Sequence, residues 1–282
     1  MNSFTLKDAS LPVDSDARYL ALVINPIRVC RSYKPKFGLG AGAGVSLEQF
    51  KRLYGQDPFY EWFGLDNPLM YAAHKAAGGM TSIYRQIGIG CEQLFRKMIQ
   101  DSLNLPSEEV VWSYEIMGTN NKNRTLSLDA RVPVGPIANP AKKAQFQAWL
   151  ATAAAGSNVA APTAAALAGA VFEVRQGYKS KDSKRQNADI ANAATAYASG
   201  HLPCLAVLSG QIDTAVMARY KERKWTVLTG TTGLNDPQLS TYDFAREIIG
   251  YDLAAFFQRH KEVLKAEINL VLQALLSPDS PA

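Results

Sequence analysis

From residue 171 onward the chain alternates short apolar runs with amphipathic stretches, and this order constrains the fold more than any other feature. Residues 171–174, apolar except for Glu173, and the buried run 202–208 read as strands, and between them 181–199 read as a helix closed by Gly200. A helix over 213–223 and a strand over 225–228 follow. Strand–helix–strand order needs a crossover, so part of the sheet must be parallel, with helices packed on it. The fold class expected is α/β, a central mixed β-sheet flanked by helices.

The rest of the chain supplies an antiparallel part and helical additions at both ends. Residues 109–117 and 124–134 alternate or carry β-branched residues, and they flank the polar cluster 119–123, which predicts an antiparallel hairpin. Over 81–103, Ile83, Ile87, Cys91, Leu94, Phe95 and Met98 recur at three- and four-residue spacing. That spacing marks a long amphipathic helix, ended by Pro106. Ser46 is placed as the N-cap of a helix running through Tyr54. Pro140 opens a helix to residue 155, with Phe146, Trp149 and Leu150 on one side. The alanine-rich stretch 159–170 completes a helical insertion over 135–170.

Helices over 242–250 and 253–276 fall in a C-terminal addition, 240–282, whose apolar residues either cap the core or form a dimer face. The first 45 residues read as an irregular arm, because the apolar run 19–24 stops at Pro26 and a glycine-rich segment, 38–44, follows. Those glycines do not fit the dinucleotide pattern, which also needs a strand before it. With 282 residues, 47% hydrophobic and 20% charged, the chain is expected to form one domain, 1–282, around one substantial core.

Several functional classes drop out. No apolar run approaches the ~20 residues of a bilayer-spanning helix, and residues 1–8 lack the pattern of a signal peptide. A cytoplasmic protein without membrane contact is expected. Cys30, Cys91 and Cys204 are sparse and far apart, as suits a reducing compartment, and read as buried apolar residues. His74, His201 and His260 are too scattered for a zinc site, Ser209-Gly210-Gln211 is no nucleophile elbow, and there is no Walker loop.

Two carboxylates stand where acids are unexpected. Asp129 lies in Leu126-Ser127-Leu128-Asp129-Ala130-Arg131-Val132, opposite in facing to Leu126 and Leu128, and Glu173 lies in Val171-Phe172-Glu173-Val174-Arg175. Strands are depleted in acids. Either alone reads as a solvent-facing residue on a half-exposed strand. Hydrolysing a phosphodiester, however, needs a hard cation held by one or two carboxylates, and a further positive charge near the reacting oxygens. After Glu173, Lys179, Lys181, Lys184 and Arg185 put four cations in seven positions, in a chain of formal net charge +5. On its own such a run is a solvated helix face; behind two strand carboxylates it suits a polyanion.

Asp129, then Glu173-Val174-Arg175, then a helix rich in Lys, Arg, Gln and Asn, resembles the PD-(D/E)XK nuclease pattern. The segment Lys181-Asp182-Ser183-Lys184-Arg185-Gln186-Asn187-Ala188 is similar to the one after the catalytic strand in type II restriction enzymes, within the branch that recognises CCGG or CC-N-GG cores. The likeness covers about residues 80–230. It implies a restriction-endonuclease-like sheet and a sequence-specific, Mg2+-dependent DNA endonuclease that leaves 5′-phosphates. It also implies a homodimer, or a tetramer, on a short palindromic duplex site. Asp129 and Glu173 would hold the metal. Gly88-Ile89-Gly90-Cys91-Glu92-Gln93-Leu94 is similar to the helix of that branch that sends a glutamate to the metal site, making Glu92 a candidate, although a solvent-facing helical glutamate fits it equally. Lys181, Asp182, Lys184, Arg185, Gln186 and Asn187 would contact DNA.

One departure stands out. Where the pattern has lysine, this chain has Arg175, which keeps its charge but cannot lose a proton. Arg175 and Lys179 then share the lysine's role. Other readings are a DNA-binding protein without catalysis on the same scaffold, or a repair or transposition nuclease.

The basic segment carries its own test. A phosphate contact adds affinity that falls with salt, whereas a base-edge contact discriminates by roughly 1–3 kcal/mol. Arg185→Ala and Asp182→Ala should lower the ratio of cognate to scrambled-duplex binding. Lys181→Ala should weaken both and flatten the salt dependence. Salt titrations that leave the ratio unchanged in every variant would assign the segment to backbone contact alone.

Overall fold

The computed structural model describes residues 13–37, 44–117, 123–177 and 192–278. The first element is a helix where an irregular arm was expected. α1 (Val13–Arg28) carries Pro26 in its last turn. Tyr19, Val23 and Ile27 recur every four residues and are buried in the main core, and that burial outweighs the local penalty of the proline. Ser46 caps α2 (Leu47–Gly55) with a full capping box, its hydroxyl taking the Gln49 N–H while the Gln49 side chain takes the Ser46 N–H. A short α3 (Pro58–Trp62) leads to α4 (Pro68–Leu103), a helix of 36 residues.

α4 starts 13 residues before the apolar periodicity does, at 68 against 81. The Gly78–Gly79 pair in this earlier part marks close approach: a Cβ on Gly79 would stand 2.5 Å from the Leu275 side chain. Gly90 plays the same part towards α1, since a Cβ there would lie 2.9 Å from the Val23 Cα and 3.1 Å from two α1 carbonyl oxygens. The predicted seam is buried at Ile83, Cys91, Leu94, Phe95 and Met98, with Ile87 packed at its margin. All three cysteines are buried thiols.

β1 (Trp112–Met117) and β2 (Asn123–Leu128) form the expected antiparallel hairpin, with Trp112 opposite Leu128. Its second arm is not continuous to 134. The chain bends at Asp129 and resumes as β3 (Ala130–Pro133), which turns to another partner. Then come α5 (Pro140–Gly156), the five-residue α6 (Ala161–Ala165) and β4 (Gly169–Arg175). The helical insertion thus ends short of 169–170, which already pair as strand with Pro133 and Val132.

After a helical segment over 192–198, β5 (His201–Val207), α7 (Thr214–Glu222) and β6 (Thr226–Leu228) complete the unit. The sheet order is β3-β4-β5-β6. β3 is antiparallel to β4, while β4, β5 and β6 run parallel, so the sheet is mixed as expected. Both of its faces are covered. Ala170, Phe172 and Val174 enter the main core with α4 and α5, and Val171 enters a second core with Leu205, Val216, Trp225 and Val227. A strand covered on both faces reads as a continuous apolar run, without alternation.

The C-terminal helices cap the main core. α8 (Thr241–Asp243) runs into a π-helical stretch (Phe244–Ile249), and α9 (Leu253–Arg259) and α10 (Lys261–Leu276) are separated at His260. Phe244 meets Phe172 at 5.3 Å and Trp149 at 4.6 Å, and Leu253, Phe256, Val271 and Leu275 are buried with them. Glu267 on α10 binds both Arg28 and Arg31, fastening the end of α1. Among the described residues no helix is long and apolar enough to cross a membrane.

The α1–α4 contact yields a paired prediction. Alanine at Gly90 gains about 1 kcal/mol of helix propensity, but must push α1 backbone aside, at a cost typical of overpacking, about 1–3 kcal/mol. Gly90→Ala should therefore lower the thermal midpoint, and Gly90→Val more so. Gly88→Ala, whose Cβ would meet only the Glu92 Oε1 at 4.0 Å, should leave it unchanged or raise it. Equal midpoints for the two alanine variants would show that α1 does not press on α4.

Candidate active site

β4 places Glu173 and Arg175 on one face, because strand residues two apart point the same way. Apart from these two the strand is apolar or glycine, and Glu173 is only 4% exposed. An unpaired carboxylate would not survive such burial ionised. Its counterion is local: Arg175 Nη2 contacts Glu173 Oε1. Arg175 Nη1 also lies 3.9 Å from Glu92 Oε1. Glu92 follows the buried Cys91 on α4, which sets it at the edge of that helix's apolar seam. The Arg175 side chain is 10% exposed and that of Glu92 24%, so the arginine bridges two acids from different elements in a largely dehydrated place.

Asp129 joins the group through the bend between β2 and β3. Its backbone N–H donates to the Phe172 carbonyl at 2.8 Å. Its Oδ2 accepts the Val174 N–H at 2.8 Å. The side chain thus takes over the ladder position that the bending backbone gives up. Carried one step past Ala130–Phe172, the β3–β4 register sets Asp129 across from Glu173. One turn beyond Glu92 on α4, Arg96 donates to the Asp129 carbonyl oxygen. Sequence reasoning missed Arg96; its four-residue spacing from Glu92 was the available signal.

Glu92, Asp129, Glu173 and Arg175, drawn from 84 positions of sequence, are thereby brought together. Lys179, Lys181, Asp182, Lys184, Arg185, Gln186 and Asn187 lie outside the described residues, as does most of the helix expected over 181–199.

Asp129 at the bend before β3 and Glu173 on β4 offer hard carboxylate oxygens, and magnesium takes only one or two such ligands from a protein. That donor chemistry fits the ion. Among the described residues no group of three or more His, Cys, Asp or Glu is arranged to hold a metal. Arg175 meanwhile supplies the positive charge that Glu173 requires. Compared with protein-family models, curated proteins and solved structures, the chain matches none.

The ion pair sets a stability test. Breaking a buried pair by removing one partner typically costs 3–5 kcal/mol, whereas replacing both by apolar groups is often neutral. Arg175→Leu should destabilise the fold by about that amount in urea unfolding, and Glu173→Leu/Arg175→Leu should restore most of it. A single variant as stable as the parent would mean Glu173 is compensated by another group.

Proposed function

We propose that this chain is a magnesium-dependent, sequence-specific double-stranded DNA endonuclease of the type II restriction kind, built on a PD-(D/E)XK core and acting as a homodimer at a short palindromic site. One observation carries the reading. Asp129, at the bend just before β3, stands across from Glu173 on β4, 44 positions on, with Glu92 reaching the arginine that Glu173 contacts. The mixed sheet flanked by helices is compatible with such a core.

In this reading Glu173 and Asp129 hold the ion. Bound magnesium supplies charge for the phosphate and a more acidic water. The Val174 N–H fixes one Asp129 oxygen, so the orientation of that carboxylate is set before DNA arrives. Arg96 braces the bend from the helix side. Arg175 neutralises Glu173 within the fold, and its Nη1, on the Glu92 side, is where a phosphate oxygen would find a permanent cation. Lys179 and the basic segment after it would then position the duplex. Two protomers related by a two-fold axis would each cut one strand of the palindrome.

The direct contact of Arg175 with Glu173 favours a second reading, a protein that binds DNA without cutting it, since the arginine stands where a metal would need access.

Digestion of a long defined DNA with Mg2+ separates the readings. Discrete bands ending in 5′-phosphates support restriction, a smear indicates a nuclease without site specificity, and retardation without cutting indicates binding alone. In the first case Asp129→Ala and Glu173→Ala should abolish cutting while specific binding persists. Arg175→Ala and Lys179→Ala should each slow it, by about a hundredfold for the group nearest the reacting phosphate. Near-normal cleavage by either carboxylate variant would remove that residue from the metal site.

A further inference from the structure

We infer that α3 and the first half of α4 form a face on which a second copy of this chain docks, the two α4 helices crossing antiparallel. Leu69, Ala73, Ala77, Met80 and Tyr84 follow one another at four- and three-residue spacing and are all exposed. They make a row about 22 Å long at 1.5 Å per residue. A surface helix normally turns charged residues towards water. Here the only Lys, Arg, Asp or Glu from Pro68 to Tyr84 is Lys75, which is buried and donates to the Ser277 carbonyl.

α3 widens the row at its N-terminal end. Phe59, Trp62 and Phe63, three and four residues apart, share one side, and the Phe59 and Phe63 rings lie 5.1 Å apart. Tyr60 stacks on Tyr54 at 4.7 Å, and Tyr54 meets His74 of α4 at 6.5 Å, which holds α3 beside α4. Trp62 is 77% exposed, Leu69 72% and Phe63 68%, with Phe59, Met80 and Tyr84 between 37% and 58%. At roughly 200 Å2 for a whole side chain of this size, these six leave about 700 Å2 in water. The largest apolar patch on a monomer is typically about 300–600 Å2, whereas each partner in a stable interface contributes about 800 Å2.

Charge selects the occupant. Duplex DNA must be met by cations, and an anionic membrane surface by Lys and Arg around the apolar face. Asp57, Glu61 and Asp66 border the aromatic end instead. A two-fold contact sets a surface against itself, and an uncharged row meets no like charge there. With the axis between Ala76 and Ala77, Leu69 lies over Tyr84 of the partner subunit and Ala73 over Met80 of the partner subunit. Arg85, exposed just past one end of the row, then comes over Asp66 at the other. Among the described residues neither has an ion-pair partner. An exposed pair of this kind adds little affinity, so its effect is to fix the antiparallel register.

The nuclease reading calls for a homodimer without assigning it a face. This inference uses none of the catalytic assignments and its test uses no DNA, so either can fail alone. Sedimentation equilibrium of the full chain should show a reversible dimer at micromolar concentrations. Ala77→Glu sets two carboxylates together at the axis and should weaken the dimer at least about a hundredfold, ~2.8 kcal/mol, with an unchanged circular dichroism spectrum. Leu270→Glu, at an exposed apolar position on α10, should leave the dimer as it was. Arg85→Asp and Asp66→Arg should each weaken it a few-fold and together restore it. Ala77→Cys should form an intermolecular disulfide on mild oxidation, since Cys30, Cys91 and Cys204 are buried; this variant keeps the test valid should the glutamate one not fold. A chain that stays monomeric overturns the inference, and one that also binds phosphatidylserine vesicles assigns the face to a membrane. A dimer that Ala77→Glu leaves intact, or that Ala77→Cys does not cross-link, is joined through another face and overturns it too.

Discussion

β4 is buried on both faces, and the rest of the molecule is arranged around that burial. A seven-residue strand whose first six residues are buried must be covered on each side by elements that are themselves held in place. One side is met by α4, α5 and the π-helical stretch through Phe95, Trp149 and Phe244 around Phe172. The other is met by α7, the 192–198 helical segment and the β1–β2 hairpin, through Val216, Tyr220, Ala193, Ala196, Trp112 and Leu128. Each fully buried large apolar side chain contributes about 1.5–3 kcal/mol relative to exposure, so this is where the driving force is concentrated. A glutamate in the middle of such a strand opposes that force, and it is tolerated because Arg175, two residues on, shares its face. The same spacing that makes the pair possible directs both side chains to the place where Asp129 and Glu92 arrive.

The bend at Asp129 has a comparable effect. An antiparallel hairpin that ran straight from 124 to 134 would keep its whole second arm on β1. The break lets β2 stay with β1 while β3 joins β4, and the Asp129 carboxylate closes the gap by accepting the Val174 N–H. A backbone N–H at the end of a ladder must find a partner when buried. The structural and the proposed chemical roles of Asp129 therefore coincide in one side chain. Its orientation is bound to the strand, and a metal site built on it would inherit the rigidity of the sheet.

What the sequence made legible follows from where its signals are local. Ser46 with Gln49, Asp213 before α7 and Asn139 before Pro140 mark helix starts through caps that a four-residue window contains. The sheet strands after 170 were legible because two-sided burial leaves continuous apolar runs. α1 was not, because Pro26 is a strong local stop, and only contact with α4 across more than 60 positions reveals Tyr19, Val23 and Ile27 as a core stripe. The first part of α4 carries no such core stripe, and its Gly78 and Gly79 serve close approaches by Tyr33 and Leu275, residues far away in the chain. In the site, Asp129 and Glu173 announced themselves as acids in strands. Arg96 did not, because its contact is with a backbone carbonyl and any helical arginine looks like a surface residue.

In the proposed reading, the arginine at 175, where the resembled pattern has lysine, is understood through burial. A buried lysine can shed its proton and leave a neighbouring carboxylate to a metal or a water, whereas arginine stays charged throughout the accessible pH range. Glu173 is consequently never without a counterion in the folded chain, and a divalent ion must either displace Arg175 or share the carboxylate with it. Displacement has a destination, since the guanidinium already faces Glu92 at 3.9 Å. A swing towards Glu92 would free Glu173 while keeping both charges paired inside the fold. Glu92 is then the residue that makes an arginine compatible with a metal-dependent reading of this strand, by giving the displaced cation a second carboxylate.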